Sequence, residues 1–306
     1  MKILLSIVSV CLLLFFPQTV LSQTGKFEKG LLWEVTGNDL EKPSYILGTH
    51  HLVHVDFVDS IPNLRYVMDN VEQTVGEVVL SPEELKQMQQ KVMSAVMMPE
   101  GKSYSSILSE GDYNILNTRL TQKMNMGLDQ LGRLIPSMIG QMYVVIVYRE
   151  LDPSFDPQKH KAIDDYIQQV SRENGKLVLG LESVEDQIYA IYTSDSIEQQ
   201  AEDLLCQVVN SEFSVKSLRM LNEYYEQGEL GKICDLWYNN PDDPCQPTQE
   251  QRDRMNKDRN DKWIQKLPAI MKDKSSLVVV GALHLAGEDG ILSQLDKIGY
   301  SVTRVE

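Results

Sequence analysis

Two segments near opposite ends of the chain decide its fold: Ser44-Tyr-Ile-Leu-Gly48-Thr-His-His51-Leu52 and Leu277-Val-Val-Val-Gly281-Ala-Leu-His284-Leu285. Each reads as a short buried strand followed by Gly-x-x-His-Leu. A glycine directly after a buried strand permits a tight turn or a close backbone approach, and a histidine three residues later then emerges at the carboxyl edge of the sheet. If the two strands are parallel neighbours, His51 and His284 converge at that edge.

The rest of the chain alternates short β-rich runs with long helical patterns. Runs rich in Val, Ile, Leu or Thr predict strands over residues 30–35, 44–47, 74–80, 176–180, 276–280 and 301–305. Capping boxes and apolar residues at three-to-four spacing fill the intervening stretches with helices. We therefore predict an α/β or α+β fold with a central mixed sheet, the paired motifs at its edge, and large helical insertions around 82–170 and 184–265.

The first 22 residues read as a secretory signal peptide. Met1-Lys2 precedes an apolar run over 3–16, and Val20-Leu21-Ser22 supplies the small-residue cleavage region. The run is shorter than the roughly 20 residues of a membrane-spanning helix, and no later stretch is long enough without charges. We expect residues 23–306 to form one exported domain, periplasmic or extracellular; a lipid anchor on Cys11 would need another cleavage point.

The negative net charge of the chain argues against some classes of binding partner. The formal net charge of -15 should repel nucleic acid and anionic membrane surfaces, and no basic stripe reverses this. The sequence does not indicate an oligomeric state.

Three cysteines remain after processing, and thiols tend to pair in an oxidising compartment. Cys234 and Cys245 flank a short loop, so we predict a disulfide between them. A cysteine-based metal site is the weaker alternative, because the chain has no Cys-x-x-Cys spacing and no histidine nearby.

Methionines recur along one part of the helical region. A copper-binding or partner-binding surface is one interpretation, but adaptable packing in a core or groove is more common. The residues are Met88, Met93, Met97, Met98, Met124 and Met126.

The histidines carry the chemistry. Four of the five lie in or beside the paired motifs, and although a lone Gly-x-x-His often occurs by chance, two copies in the same strand context favour function. If the two imidazoles bind a metal ion, we expect a third ligand with an oxygen donor, since catalytic metal sites commonly keep three protein ligands and an open position. Glu77 in the 74–80 run is the best candidate, unless it faces solvent on an edge strand. Glu182 follows another strand, where it could instead complement a helix dipole.

These residues carry a resemblance to the TraB/GumN family. That family belongs to a wider group with the Tiki metalloproteases and, more distantly, erythromycin-esterase-like and haem-binding ChaN-like proteins. The resemblance covers nearly all of the mature chain. Its motifs are Gly30-Leu-Leu-Trp33, Tyr45-Ile-Leu-Gly-Thr-His-His51, Val75-Gly-Glu77, Gly180-Leu-Glu182-Ser-Val-Glu-Asp-Gln187, Arg259-Asn260, Val280-Gly-Ala-Leu-His284-Leu-Ala-Gly-Glu-Asp-Gly290 and Gly299-Tyr300.

The resemblance implies a divalent-metal hydrolase, with the peptidase activity attributed to the Tiki branch and a peptide or protein substrate. It assigns the two motif histidines to His51 and His284 and the acid to Glu77. Groups that support the ligands or position the substrate would be Glu182, Gln187, Arg259 and Asn260. Many relatives carry an apolar residue in place of His50, so His50 is an added ligand, a donor to a ligand, or a neutral variation.

Our leading hypothesis is that His51, His284 and Glu77 hold manganese, cobalt or zinc, whose bound water attacks a peptide carbonyl. Glu77 or Glu182 would act as general base if not a ligand. Arg259 would stabilise developing negative charge or anchor its helix. The rival hypothesis is an exported protein that binds a metal, haem or peptide without turnover, and a third is hydrolysis of an ester or lactone.

Overall fold

The strands lie where the apolar runs predict them. The computed structural model describes residues 25–79 and 81–306, without the side chains of residues 82, 84 and 85, so the predicted signal peptide lies outside the described residues. The six strands are β1 (Leu32–Thr36), β2 (Ser44–Thr49), β3 (Gln73–Gly76), β4 (Leu177–Gly180), β5 (Ser276–Gly281) and β6 (Ser301–Arg304).

The six strands form one mixed sheet in the order β4-β3-β5-β2-β1-β6. β2 and β5 are parallel neighbours, with Gly48 paired to Val280 and Thr49 to Gly281. β3 runs parallel to both β5 and β4, whereas β1 is antiparallel to β2 and β6. The four parallel strands therefore end at a common edge, which confirms the mixed sheet and the predicted neighbourhood of the two motifs.

Helices fill the long connections between strands. The helix between β2 and β3 is α1 (Leu64–Asn70). Those between β3 and β4 are α2 (Pro82–Ala95), α3 (Tyr104–Ile107), α4 (Glu110–Met124), α5 (Leu128–Leu131), α6 (Pro136–Leu151) and α7 (Ile163–Glu173). Those between β4 and β5 are α8 (Val184–Ile188), α9 (Ile197–Val209), α10 (Ser211–Glu226), α11 (Leu230–Tyr238), α12 (Gln249–Arg252), α13 (Asp258–Trp263) and α14 (Leu267–Asp273), and α15 (Ile291–Lys297) precedes β6.

The connections also contain tighter and wider helical turns. Val55–Ser60 and Ala282–His284 are 3₁₀ turns. Two further turns are π-helical. Tyr189–Thr193 lies shortly before α9, and Asp253–Lys257 directly precedes α13. Such wide turns occur frequently at functional sites.

The buried apolar side chains form two clusters. The larger one packs both faces of the sheet against α1, α7, α13, α14 and α15 and includes Ile46, Val279 and Trp263. The smaller one lies among α4, α6 and α9 around Leu120 and Tyr143. The predicted limits of a single domain stay a prediction. None of the described helices combines the length and apolar content that crossing a membrane requires.

The predicted disulfide between Cys234 and Cys245 is wrong in one partner. Cys206 near the end of α9 is bonded to Cys245, across a Cα–Cα distance of 5.7 Å, and Cys234 is a free thiol. α11 directs Cys234 against Gly287 and the sheet core, while the loop after α11 folds back onto α9. Burial raises the pKa of the Cys234 thiol to about 11.

Candidate active site

Three parallel strands deliver the predicted ligands to one place. His51 follows β2, His284 follows β5, and Glu77 follows β3, so all three lie at the carboxyl edge of the sheet. The backbone N–H of Gly281 donates to Glu77 Oε1 over 2.9 Å, which ties the end of β3 to the end of β5. A side chain at Gly48 would come within 3.0 Å of the Ala282 backbone, so the first motif glycine allows this close approach.

Glu77 does not lie inside a strand or on an edge strand. β3 ends one residue earlier and runs between β4 and β5. The Glu182 backbone N–H donates to the Glu77 carbonyl over 2.9 Å, so the two acids lie side by side where β3 and β4 end. Both carboxylates are buried, since Glu77 is 13% exposed and Glu182 is 5% exposed.

Arg259 on α13 joins these two acids. Its Nε and Nη2 donate to the two oxygens of Glu182 at 3.0 and 2.6 Å, and Nη2 also donates to Glu77 Oε2 at 2.6 Å. Its Nη1 donates to the Met255 carbonyl at 3.2 Å and to His284 Nε2 at 3.0 Å. A guanidinium has five N–H groups, and these contacts employ all of them.

His284 is held in one tautomer. Because Arg259 can only donate, His284 Nε2 must accept, and Nδ1 then carries the proton that it donates to Asn260 Oδ1 at 2.8 Å. Asn260 in turn donates to the carbonyls of His284 and Asp289, which fixes its own orientation. The ring packs against Trp263 with centroids 4.5 Å apart. Burial, with the charge of Arg259, lowers the pKa of His284 to about 3, so the ring is neutral at neutral pH.

The Glu77 carboxyl group is ionised at neutral pH. Burial opposes its charge, but His284 when protonated, Arg259, His51 and the Gly281 N–H outweigh burial and lower its pKa to about 2. Burial raises the pKa of Glu182, against the hydrogen bonds from Arg259. His284 Nε2 lies 3.9 Å from Glu77 Oε1, so the imidazole and the carboxylate face the same small volume.

His51 has a partner that the sequence analysis missed. Its Nδ1 lies 3.2 Å from the carboxylate of Asp164, in the first turn of α7, and its side chain is 63% exposed. The charge of Asp164 is the main reason why the pKa of His51 rises to about 9. Acids in a first helical turn usually complement the helix dipole, so the pair Asp164-Asp165 gave no distinct signal in the sequence.

Two other histidines support this region without facing Glu77. His160 Nε2 contacts the His51 carbonyl at 2.6 Å. His50 packs edge-on against Tyr225 with ring centroids 5.5 Å apart, and its Nδ1 accepts from the Leu52 N–H. Burial, followed by the charge of His51, lowers the pKa of His50 to about 4, so it is neutral.

Gln187 on α8 also contacts Glu77. Its Nε2 donates to Glu77 Oε2 over 3.3 Å, the same oxygen that accepts from Arg259. The structure thus brings Glu77, Glu182, Gln187, Arg259, Asn260 and His284 into one hydrogen-bonded cluster. His51 contributes to the field at Glu77 from the adjacent strand end.

Comparison with known proteins gives one match. The family model described as the TraB/PrgY/gumN family matches residues 31–304, from the start of β1 to the end of β6. No curated protein and no solved structure matches the chain. Since the match spans the whole sheet and both motifs, the chain belongs to the TraB/PrgY/gumN family.

Proposed function

We propose that this protein is a divalent-metal-dependent hydrolase of peptide bonds, with its centre at His51, His284 and Glu77. The observation that carries the proposal is the way both histidines are held. Each has Nδ1 paired with a side-chain oxygen, of Asp164 or Asn260, so Nε2 would be the ligand nitrogen. In His284 this Nε2 accepts from Arg259 and would first have to be released. Metal-binding histidines almost always have this anchored second nitrogen.

The donor chemistry fits a divalent ion at the pair of His284 and Glu77. The ring of His284 is neutral, as a ligand must be, and the 3.9 Å between its Nε2 and Glu77 Oε1 is a span that two bonds of about 2.1 Å can bridge. Among the described residues, no three His, Cys, Asp or Glu side chains are already grouped as a metal site. Metal binding would require the His51 ring to lose its proton, because its pKa is raised, and Arg259 Nη1 to release Nε2 of His284.

A bound manganese, cobalt or zinc ion would supply an acidified water and polarise the substrate carbonyl. Glu77, with its lowered pKa, is better suited to hold charge than to take a proton. Glu182 has the raised pKa of a better base, but Arg259 holds both of its oxygens. Arg259 acts as a positioning residue in the metal-free protein, where each of its N–H groups has an acceptor. Once Nη1 releases His284 Nε2, that N–H would be free to stabilise developing negative charge.

His51 is the exposed member and meets the substrate first. Its neutral ring, oriented by Asp164 at Nδ1, would bind the metal through Nε2. The disulfide between Cys206 and Cys245 agrees with an oxidising compartment, and export stays a prediction.

The test combines metal content with turnover. Purified protein, His51→Ala, His284→Ala and Glu77→Gln are incubated with manganese, cobalt or zinc, assayed by mass spectrometry, and given a peptide library. His54→Ala is the matched control, since His54 is exposed and its side chain contacts Asp56 and the ring of His160. Near-stoichiometric metal that is lost with both ligand histidines, together with cleavage, supports the proposal. Metal indifferent to these changes contradicts it.

One observation favours the second candidate, an exported protein that binds a metal, haem or peptide without turnover. Arg259 already pairs with Glu77 and Glu182 and donates to His284 Nε2, so these three acceptors have a donor without an ion. Saturable association with the library and no cleavage in any metal would select this function.

A further inference from the structure

An apolar cavity of about 280 Å³ lies between α2 and the segment from α8 into the π-helical turn Tyr189–Thr193. Met88, Val92 and Met93 line it from α2, and Gln187, Ile188 and Ile191 line it from the other side. The two walls are joined outside the cavity by an ion pair between Lys91 and Glu185 at 2.5 Å.

The cavity shares one wall residue with the site at Glu77. Gln187 lines the cavity and also donates from Nε2 to Glu77 Oε2 over 3.3 Å. The Gln187 side chain therefore connects the cavity wall to the carboxylate. Among the described residues, the hydrogen bonds of the Glu77 cluster do not involve the methionines of α2, so the cluster gives these methionines no role.

The lining chemistry selects an apolar occupant. Methionine side chains are flexible and polarisable and adapt to apolar groups of different shape. Met93 is 58% exposed, so its flexible side chain can cover an incoming group at the rim of the cavity. The wide turn after Gln187 carries Ile191 into the cavity, and wide turns of this kind recur at functional sites.

We infer that this cavity is a substrate subsite that accepts a large apolar side chain, such as Leu, Met or Phe, next to the bond that is hydrolysed. This inference rests on the proposed hydrolase function and adds the substrate class. Gln187 links recognition to chemistry, because the residue that touches Glu77 also touches the bound side chain.

The test compares pairs of peptides that differ only in Leu or Ala beside the cleaved bond. Wild type should prefer the Leu peptide by about tenfold or more in kcat/KM, as expected for several methylene groups in an apolar pocket. Val92→Phe, which fills the cavity, should lower the Leu rate about tenfold and so remove most of the preference for Leu over Ala. Met93→Glu, at an exposed position that tolerates charge, should reduce the same preference.

Ile115→Phe is the matched control, since Ile115 is 47% exposed on α4 and does not line the cavity. Thermal unfolding of each variant confirms that it is folded. Cleavage without an apolar preference, or a preference that both cavity variants retain, overturns the subsite and leaves the hydrolase proposal intact.

If no peptide is cleaved, the hydrolase proposal fails and calorimetry decides the subsite on its own. Binding of the uncleaved Leu peptide to wild type, lost at least tenfold in Val92→Phe but not in Ile115→Phe, keeps the cavity as an apolar ligand site. Equal binding of the Leu and Ala peptides, or no binding of either, overturns it.

Discussion

Arg259 Nη1 donates a 3.0 Å hydrogen bond to His284 Nε2, so the nitrogen that a metal would bind is held by a permanent cation. The same guanidinium forms ion pairs with both Glu77 and Glu182. Arg259 therefore holds the cluster together without an ion, and it is the group that would have to shift if the proposed ion bound.

Removing Arg259 should destabilise the protein strongly. Arg259→Ala leaves two buried carboxylates without their partner, and breaking a buried ion pair on one side typically costs about 3–5 kcal/mol. Urea unfolding at neutral pH measures the change. Lys257→Ala removes only the exposed Lys257–Asp261 pair nearby and should change stability by less than about 1 kcal/mol. Equal stability of the two variants would contradict the ion network.

Asn260 should control the orientation of His284. Asn260→Ala removes the acceptor of His284 Nδ1 and the side-chain donor to the His284 carbonyl, at a cost of about 1–3 kcal/mol. If the histidine binds metal, affinity should also fall about 10–100-fold, the usual effect of losing such a supporting contact. Gln294→Ala is the control, since Gln294 donates to the same Asp289 carbonyl without touching His284. Metal titration distinguishes the two variants.

The pair of His51 and Asp164 should be sensitive to alkaline pH. The folded-state pKa of His51, about 9, lies above its ordinary value, so the pair stabilises the fold fully below about pH 6.5. That contribution is lost as pH rises through 9. Imidazole C–H resonances of the metal-free protein report the titration, and Asp164→Asn should move it back towards the ordinary range. A His51 that titrates near 6.5 in wild type would contradict the pairing.

The disulfide can be checked directly. Unreduced peptide mapping should join Cys206 to Cys245 and find Cys234 as a free thiol. Cys206→Ser should cost about 2–4 kcal/mol under oxidising conditions, and dithiothreitol should then have no further effect. Cys234→Ala keeps the bond, so it should lose stability on reduction as wild type does. A peptide joining Cys234 to Cys245 would overturn this assignment.

The structure established the parallel pairing of the two Gly-x-x-His strands, which the sequence offered only as a condition. The sequence by itself determined the approximate positions of the strands and the family. Each of these depends on local patterns: alternating or continuous apolar runs define a strand, and a glycine after it defines the turn. The sequence pointed to His51, His284 and Glu77 as candidates in this way, because each lies within three residues of the end of a strand and parallel strands end at one edge.

Tertiary structure alone decided the partners. Asp164, Arg259 and Cys206 lie on helices of the insertions, far in sequence from His51, Glu77 and Cys245. Which helix face reaches the sheet edge depends on how the insertions pack against the core, and no local pattern records that packing. The same reason explains why Glu77 and Glu182, which the sequence offered as alternative bases, proved to share one guanidinium.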